Sequence, residues 1–394
     1  VGSLGSALSF NPGVFLQVAL WRLLLGVGAG GVYPIAATYA KESCPDPHMQ
    51  STVVAFVFSM QGVGYLLAPV VALVVLQSVG RADLQWRLVL GFGALLLLMV
   101  LWLLVVMEGR MKRKQMVSMA SQIVADITVD DDGAEAAAAE QASPSSAPQN
   151  SGQSLGSSLV HVYGLLKDPE ILRSMLGAAG SWFLFDVTFY GNTLFEDEVL
   201  GTIFGGDESP TQLTTEEILV YAIALPGYYL ALLFMHRLGP KVIQLQGFIM
   251  MGIIYLLIGI FWTQMLEGSA AILLVMYALT FVFSNFGPNS TTFILPSLTF
   301  PAHARSSLNG ICAACGKLGA IVGSSSFSTL DADWGVQHVL MLCGGIAFLG
   351  ALLTVFFVKS AKELEQKGEE ERTRSHDALS IAQSPANSTP YEPF

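Results

Sequence analysis

Two charged side chains stand inside otherwise apolar stretches of this sequence. Asp186 occurs in SWFLFDVTFYGN and Lys317 in GICAACGKLGAIVG. In a membrane helix, each charge costs several kcal/mol of free energy unless it is paired or faces a wet cavity. The two residues therefore indicate a buried polar site that a polar solute visits. A structural ion pair with no ligand is the alternative, and both interpretations hold if an anion competes with Asp186 for the Lys317 ammonium.

Asp186 shares a helix face with two aromatic residues. Trp182, Asp186 and Tyr190 are four residues apart, which places an indole N–H, a carboxyl and a phenol on one stripe about 12 Å long. This stripe offers a ligand two hydrogen-bond donors and one titratable group. In the plainer interpretation, the aromatic rings pack in a core and a neighbouring helix satisfies Asp186.

Glycine and proline interrupt two apolar stretches in a matching way, GVGAGGVYPIA (26–36) and SNFGPNSTTFILP (284–296). Paired interruptions of this kind point to the midplane substrate sites of transporters. Tyr33 and Asn289 stand at these interruptions and predict ligand contacts, although close packing through glycine explains part of the pattern. Gln61, in FSMQGVGYLLAP, predicts either a further ligand contact or a hydrogen bond between helices.

The composition excludes an ordinary water-soluble globule. Of the 394 residues, 53% are hydrophobic and 12% are charged, against about 25% charged residues in soluble domains. A net charge of −11 gives no basic surface for nucleic acid. The four cysteines lie in or beside apolar stretches, which argues against a disulfide framework. The CxxC of Cys312 and Cys315 lacks the second ligand pair of a metal site, so no metal or cofactor is predicted.

The apolar stretches predict an all-α, polytopic membrane helical bundle. Nine spans are expected, near 14–40, 51–79, 86–107, 172–195, 216–236, 242–263, 270–297, 306–329 and 335–358. The stretch 108–165 is expected to be a disordered linker, because its Ser, Pro, Gln, Ala and Gly content supports no packed core. The predicted domains are a remnant of an N-terminal helical bundle (1–107), this linker (108–165), a C-terminal six-helix bundle (166–360) and a cytoplasmic tail (361–394).

The orientation follows from the loop charges. Lysine and arginine flank one set of helix ends, including Arg110, Lys112, Arg237, Lys241, Arg305 and Lys359. Acidic residues crowd the opposite loops, so the positive-inside rule makes the linker and the C-terminus cytoplasmic. The first span would then start outside, which predicts that about three earlier spans are wholly or partly lost from a protein of about twelve helices.

Four segments carry a family resemblance: WRLLLGVGAGGVYPIAA (21–37), SWFLFDVTFYGN (181–192), LPGYYLALLFMHRLGPKVIQLQGF (225–248) and SNFGPNSTTFILPSLTFPAHARSSLNGICAACGKLGAIVG (284–323). In this order they resemble the phosphate:proton symporter family of the major facilitator superfamily. The resemblance implies the major facilitator fold with an incomplete N-terminal half. Its spans would correspond to helices four to twelve of that fold.

The resemblance also implies a phosphate site. It places seven residues around the anion: Tyr33, Gln61, Trp182, Asp186, Tyr190, Asn289 and Lys317. It assigns proton coupling to Asp186, protonated while phosphate is bound and deprotonated for release. The implied function is proton-coupled uptake of inorganic phosphate by alternating access across the plasma membrane, with phosphate, protons and membrane lipids as partners. Neither nucleic acid nor an obligate protein partner is expected.

Two places depart from the family pattern. Val32 stands where the family typically has the acidic residue of GGDYP, and Pro296-Ser297-Leu298 stands where it typically has PGE. These departures leave two alternatives open: a transporter of another organic anion or polar metabolite, or a phosphate receptor or inactive fragment that transports nothing. An enzyme is not expected, because the sequence shows no activated nucleophile and no metal cluster.

Overall fold

The computed structural model describes residues 1–10, 12–129, 163–194, 196, 199–201, 209–366, 369–370 and 373. Within these residues the regular structure is entirely helical, which confirms the predicted all-α class. The helices are α1 (Gly2–Ala7), α2 (Val14–Glu42), α3 (Pro47–Ser78), α4 (Ala82–Val129), α5 (Pro169–Met175), α6 (Ser181–Leu194), α7 (Pro210–Ile260), α8 (Trp262–Gly268), α9 (Ala270–Asn285), α10 (Pro288–Thr299), α11 (Arg305–Trp334) and α12 (Val336–Phe357). A π-helical turn, Leu176–Gly180, joins α5 to α6.

Seven helical stretches among the described residues are long and apolar enough to cross a membrane. They are Val14–Glu42, Pro47–Ser78, Ala82–Arg110, Pro210–Ile260, Ala271–Thr299, Arg305–Trp334 and Val336–Phe357. Helices suit this environment because every backbone hydrogen bond closes within the segment. The chain is therefore a multi-pass membrane protein.

Two predicted spans merge, and two others are subdivided. The spans 216–236 and 242–263 both lie in α7, which contains one non-helical residue, Gly239 (φ 75°, ψ 162°), directly before Pro240. This left-handed conformation suits glycine, and the proline after it lacks a backbone donor. The span 172–195 is divided between α5, the π-helical turn and α6, and the span 270–297 is divided between α9 and α10.

Three helices begin with the same local device, a short polar residue followed by proline. Asp46 accepts a hydrogen bond from the backbone N–H of His48 at the start of α3. Asp168 caps α5 and Ser209 caps α7 in the same way. The polar side chain satisfies an unpaired backbone donor, and proline at the first helical position lacks only a donor that would be unpaired anyway.

The structure departs from the predicted linker over its first part. Helix α4 continues through the polar segment as far as Val129. Residues 110–129 contain neither glycine nor proline and are rich in Met, Lys, Arg, Gln and Ala, which favour helix even where no core forms. Residues 130–162 and 374–394 lie outside the described residues, so the predicted domain division remains a prediction.

The chain divides into two compact units: Val1–Leu25 with Arg81–Leu159, and Gly26–Gly80 with Val160–Phe394. In the first unit, α1 packs on α4. The Ser3 hydroxyl donates to the Leu90 carbonyl oxygen at 3.1 Å, and the Arg87 guanidinium donates to the Ala7 carbonyl oxygen at 2.9 Å. All seven predicted site residues belong to the second unit.

In the second unit, α11 packs against α6 at very short range. A Cβ atom on Gly319 would overlap the Phe183 carbonyl oxygen, and one on Gly323 would overlap that of Val187. Two helices can approach this closely only where one of them lacks side chains. Lys317, two residues before Gly319, is thereby brought to the face of α6 that carries Asp186.

Two hydrophobic cores fill the second unit. One contains Phe185, Phe189, Phe248, Tyr255, Tyr277 and Phe281, and the other contains Phe58, Trp182, Tyr228 and Phe293. Phe189 of the first core and Phe58 and Trp182 of the second line one small cavity. The polar site lies where these two apolar cores meet.

Candidate substrate site

The structure brings all seven predicted site residues to one cavity. Its lining consists of Tyr33, Phe58, Gln61, Trp182, Asp186, Phe189, Tyr190, Asn289 and Lys317. Its volume is about 10 Å³, close to the minimum that holds one water molecule. In this conformation the lining side chains therefore leave little free volume between them.

Lys317 is the centre of the site. Its ammonium nitrogen lies 3.3 Å from the nearer Asp186 carboxyl oxygen and donates to the Tyr190 hydroxyl at 2.7 Å. The same nitrogen lies 4.3 Å from the ring centroid of Tyr190 and 5.6 Å from that of Tyr33. The Asp186 side chain is 3% exposed, whereas that of Lys317 is 45% exposed. The charge on the buried Asp186 carboxylate therefore needs Lys317 as its partner, whereas solvent can stabilise part of the charge on Lys317.

The stripe predicted on α6 is present, and α11 fixes one end of it. A Cβ atom at Gly316 would overlap the Trp182 indole, so the indole lies directly against the α11 backbone. The Trp182 indole N–H also faces the Asp186 carboxyl one turn away. Packing and hydrogen bonding together hold the carboxyl toward the cavity.

A chain of amides and a phenol forms a second wall of the cavity. Asn289 donates to the Tyr228 hydroxyl at 2.9 Å and to the Asn285 side-chain oxygen at 2.8 Å. Tyr228 in turn donates to the Gln61 side-chain oxygen at 3.2 Å. Both amide hydrogens of Asn289 are thus used within the protein. To donate to a ligand, Asn289 must exchange one of these partners.

Tyr33 reaches the cavity from α2, and its ring stands edge-on to Phe293 with centroids 5.9 Å apart. Val32, the first departure from the family pattern, is 60% exposed and lies outside the cavity lining. Ser297, in the second departure, is buried and donates to the Ile294 carbonyl oxygen at 2.7 Å. Neither departure alters the side chains that line the cavity.

Sequence reasoning missed four contributors: Phe58, Tyr228, Asn285 and Phe189. Tyr228 follows Pro226 and Gly227, and a Cβ on Gly227 would overlap the Val282 carbonyl oxygen. In the sequence, a glycine directly before two adjacent tyrosines indicates a close helix contact at this point. The sequence does not indicate which of the two tyrosines faces the cavity. Asn285 could have been found from its spacing of one turn from Asn289.

Metal chemistry finds no support in the part of the chain that is described. No group of three or more His, Cys, Asp or Glu side chains there could hold a metal ion. The Cys312 thiol is buried, with its sulfur 3.7 Å from that of Met175. In this place it acts as a small packing residue.

Apolar membrane-spanning helices around a small, charged cavity are typical of a membrane transporter. The family model for sugar (and other) transporters matches residues 1–370, and the chain belongs to this family of the major facilitator superfamily. It is therefore a transporter and not an enzyme.

Two solved structures share the fold at 20% identity. A double-tryptophan mutant of XylE has a TM-score of 0.62 over 93% of this chain and 79% of that one. The xylose transporter XylE from E. coli, in a partially occluded inward-open conformation, has a TM-score of 0.57 over 91% and 79%.

Several relatives carry a more specific name. The chain is 34% identical to the probable inorganic phosphate transporter 1-6 of Arabidopsis thaliana, over 92% of this chain and 75% of the relative. It is 32% identical to inorganic phosphate transporter 1-1 of the same plant, over 95% and 78%. The low affinity inorganic phosphate transporter 1 of Petunia hybrida is 30% identical over 93% and 76%. These relatives confirm the family resemblance drawn from the sequence.

Proposed function

We propose that the chain carries inorganic phosphate across the plasma membrane by alternating access and couples this movement to protons. The observation that carries the proposal is the Lys317–Asp186 pair in a cavity lined by hydrogen-bonding side chains. The names of the relatives support phosphate as the substrate. The chain's basic helix ends, including Arg237, Lys241 and Lys359, support cytoplasmic placement of the linker and C-terminus.

Phosphate loses its hydration shell when it enters an apolar bundle, so the site must replace water's hydrogen bonds and offset the charge. Lys317 supplies the positive charge and up to three hydrogens. Tyr33, Trp182 and Tyr190 supply further O–H and N–H donors around the same cavity. Gln61 can donate from its side-chain nitrogen, since Tyr228 bonds its oxygen, and Asn289 completes the proposed set once it exchanges one of its present partners. The cavity must widen for phosphate to enter, because its present volume suits about one water molecule.

Proton coupling follows from competition for Lys317. While Asp186 is charged, it neutralises the ammonium and repels an anion. Protonation of Asp186 removes both obstacles, so a bound proton raises phosphate affinity. Linkage then requires that bound phosphate raise proton affinity by the same factor. The two are carried together, and deprotonation of Asp186 restores the ion pair and expels the anion.

The direct test is uptake of labelled phosphate by the full chain in proteoliposomes. An inward proton gradient should drive accumulation, and Asp186→Asn should exchange phosphate across the membrane but lose the gradient's effect. Competition by a panel of organic anions separates phosphate from the alternative substrates. If an organic anion is accumulated and phosphate is not, the proposed substrate is wrong. If phosphate binds but never enters the vesicles, the protein is a receptor.

A further inference from the structure

A large cavity lies at the end of α12, apart from the central site. Its volume is about 670 Å³, within the range of sites that hold small organic ligands. Its walls come from α5, from the middle of α7, from the last turn of α12 and from the segment that follows α12. Because the apolar span of α12 ends at Phe357, the cavity lies where the hydrocarbon layer gives way to the lipid headgroups.

Two cations of this cavity meet at the last turn of α12. The Lys241 ammonium donates to the Val355 carbonyl oxygen at 3.0 Å, and the Arg173 guanidinium donates to the Phe356 carbonyl oxygen at 2.8 Å. Basic side chains often satisfy the last carbonyls of a helix in this way. An ammonium carries three hydrogens and a guanidinium five, so each cation can bind a ligand as well as its carbonyl.

Three acidic side chains in the cavity wall are held by other groups. Asp168 accepts a hydrogen bond from the backbone N–H of Glu170 at 2.8 Å. The Glu170 carboxyl pairs with the Lys359 ammonium. Glu363 accepts from the backbone N–H of Ser360 at 2.6 Å. These carboxylates therefore serve partners within the wall itself.

The charges of Arg173 and Lys241 are less well compensated. Among the residues that the structure describes, neither of them forms an ion pair. Glu363 interacts with Lys241 over a longer distance, and the remaining acid of the lining, Glu370, is exposed. A carbonyl oxygen carries only a partial charge, so a full negative charge in the cavity would bind both cations more strongly. Arginine and lysine are the side chains that bind phosphate groups, which the cavity therefore fits.

Exposed apolar side chains adjoin the two cations on the membrane side. Leu352 and Phe356 on α12 are exposed, and Phe356 also lines the cavity. Leu172, directly before Arg173, and Leu176 in the π-helical turn are exposed as well. A soluble phosphate compound gains nothing from such a surface, whereas an acyl chain packs against it. The combination of cations and apolar side chains at this depth suits a phospholipid.

We propose that this cavity binds the headgroup of an anionic phospholipid, with the lipid phosphate at Arg173 and Lys241 and the acyl chains along α5 and α12. Basic pockets between membrane helices on the cytoplasmic side bind headgroups of this kind. The cytoplasmic side of this helix end is part of the proposed function, but the site itself does not depend on phosphate transport. A bound lipid contacts α5, α7 and α12 at once, so it should stabilise the folded protein.

The test follows the unfolding temperature of the purified full chain in detergent micelles during titration with short-chain phosphatidylinositol. Short-chain phosphatidylcholine, which has no net charge, is the comparison. A ligand that binds only the folded state raises stability with its concentration, so each titration yields a dissociation constant. We expect phosphatidylinositol to bind more tightly than phosphatidylcholine.

Removal of the two cations should weaken this binding. In Arg173→Gln/Lys241→Gln the dissociation constant for phosphatidylinositol should rise about 25-fold, or about fivefold for each lost cation. Glutamine keeps an N–H donor for the carbonyls of α12, so the contact that ends this helix can persist. Should the double variant fail to fold, Lys241→Gln alone decides, and an unchanged constant there would overturn the proposal.

Arg237→Gln/Lys362→Gln is the matched control, because it removes the same charge from exposed residues near the same helix ends but outside the cavity lining. It should leave the dissociation constant unchanged. Equal weakening in both double variants would mean a general attraction to a basic surface and would overturn the site. An unchanged constant in Arg173→Gln/Lys241→Gln, or equal binding of the two lipids, would overturn it too. If soluble inositol phosphate binds as tightly as phosphatidylinositol, the ligand is a free anion and the lipid assignment is wrong.

Discussion

Lys317 holds two partners at once, the Asp186 carboxyl and the Tyr190 hydroxyl. An ammonium has three hydrogens, so a third remains for an incoming anion without breaking either contact. The charge, however, is already offset by Asp186. A proton on Asp186 therefore changes the site more than any rearrangement of the lysine itself.

Replacement of this lysine tests the residue-level account. Lys317→Ala should weaken phosphate binding roughly 10- to 100-fold, because hydrogen bonds to charged groups contribute about 1.5–3 kcal/mol. It also leaves Asp186 buried without its partner, which lowers stability. The double variant Lys317→Ala/Asp186→Asn should recover thermal stability but not binding. Lys112→Ala, which removes an exposed lysine paired with Glu108, is the control. Recovered binding in the double variant would show a purely structural ion pair.

The adjacent tyrosines of α7 offer a second matched comparison. Tyr228 is 3% exposed and links Asn289 to Gln61, whereas Tyr229 is 38% exposed. Tyr228→Phe should lower stability by about 1 kcal/mol, the usual contribution of one hydrogen bond. It should also change the KM for phosphate, since both amides lose a fixed partner. Tyr229→Phe should change neither quantity, as measured by thermal unfolding and uptake kinetics. Equal behaviour of the two variants would mean that the amide chain does not shape the site.

At the scale of helices, the close contact of α6 with α11 positions the charged pair. Gly319→Ala places a methyl group against the Phe183 carbonyl oxygen. Overpacking of this kind costs about 1–3 kcal/mol and forces the helices apart. Gly310→Ala on the same helix meets nothing within 4 Å, so it should be neutral or slightly stabilising. The unfolding temperature and the rate of phosphate uptake should therefore fall for Gly319→Ala only. An unchanged unfolding temperature and uptake rate in Gly319→Ala would show that α6 and α11 do not pack as closely as described.

The helices could be predicted from the sequence to different degrees. The stripe of Trp182, Asp186 and Tyr190 was predictable because helical periodicity alone places them on one face. That α11 packs against this stripe was indicated only by the small residues around Lys317. The extension of α4 to Val129 was missed, since a polar composition does not distinguish a solvated helix from a linker. The π-helical turn before α6 left no recognisable pattern.

At the scale of the whole molecule, the seven site residues come from five helices far apart in sequence, yet the sequence alone predicts all seven. Each was identified by the cost of burying it or by the family resemblance, and neither route needs tertiary contacts. The hydrogen bonds among them could not be predicted in this way. Tyr228, which ties Asn289 to Gln61, became visible only once α3, α7 and α10 were placed together.

The central claim is that one carboxyl, Asp186, links proton and phosphate binding. The most direct test measures the dissociation constant for phosphate against pH in the unaltered protein and in Asp186→Asn. Phosphate ionises identically in both experiments, so the ratio of the two constants reports Asp186 alone. We predict that, as pH rises, the unaltered protein loses affinity relative to Asp186→Asn, because only its carboxyl deprotonates and reclaims Lys317. A ratio that stays constant across the pH range would contradict the account.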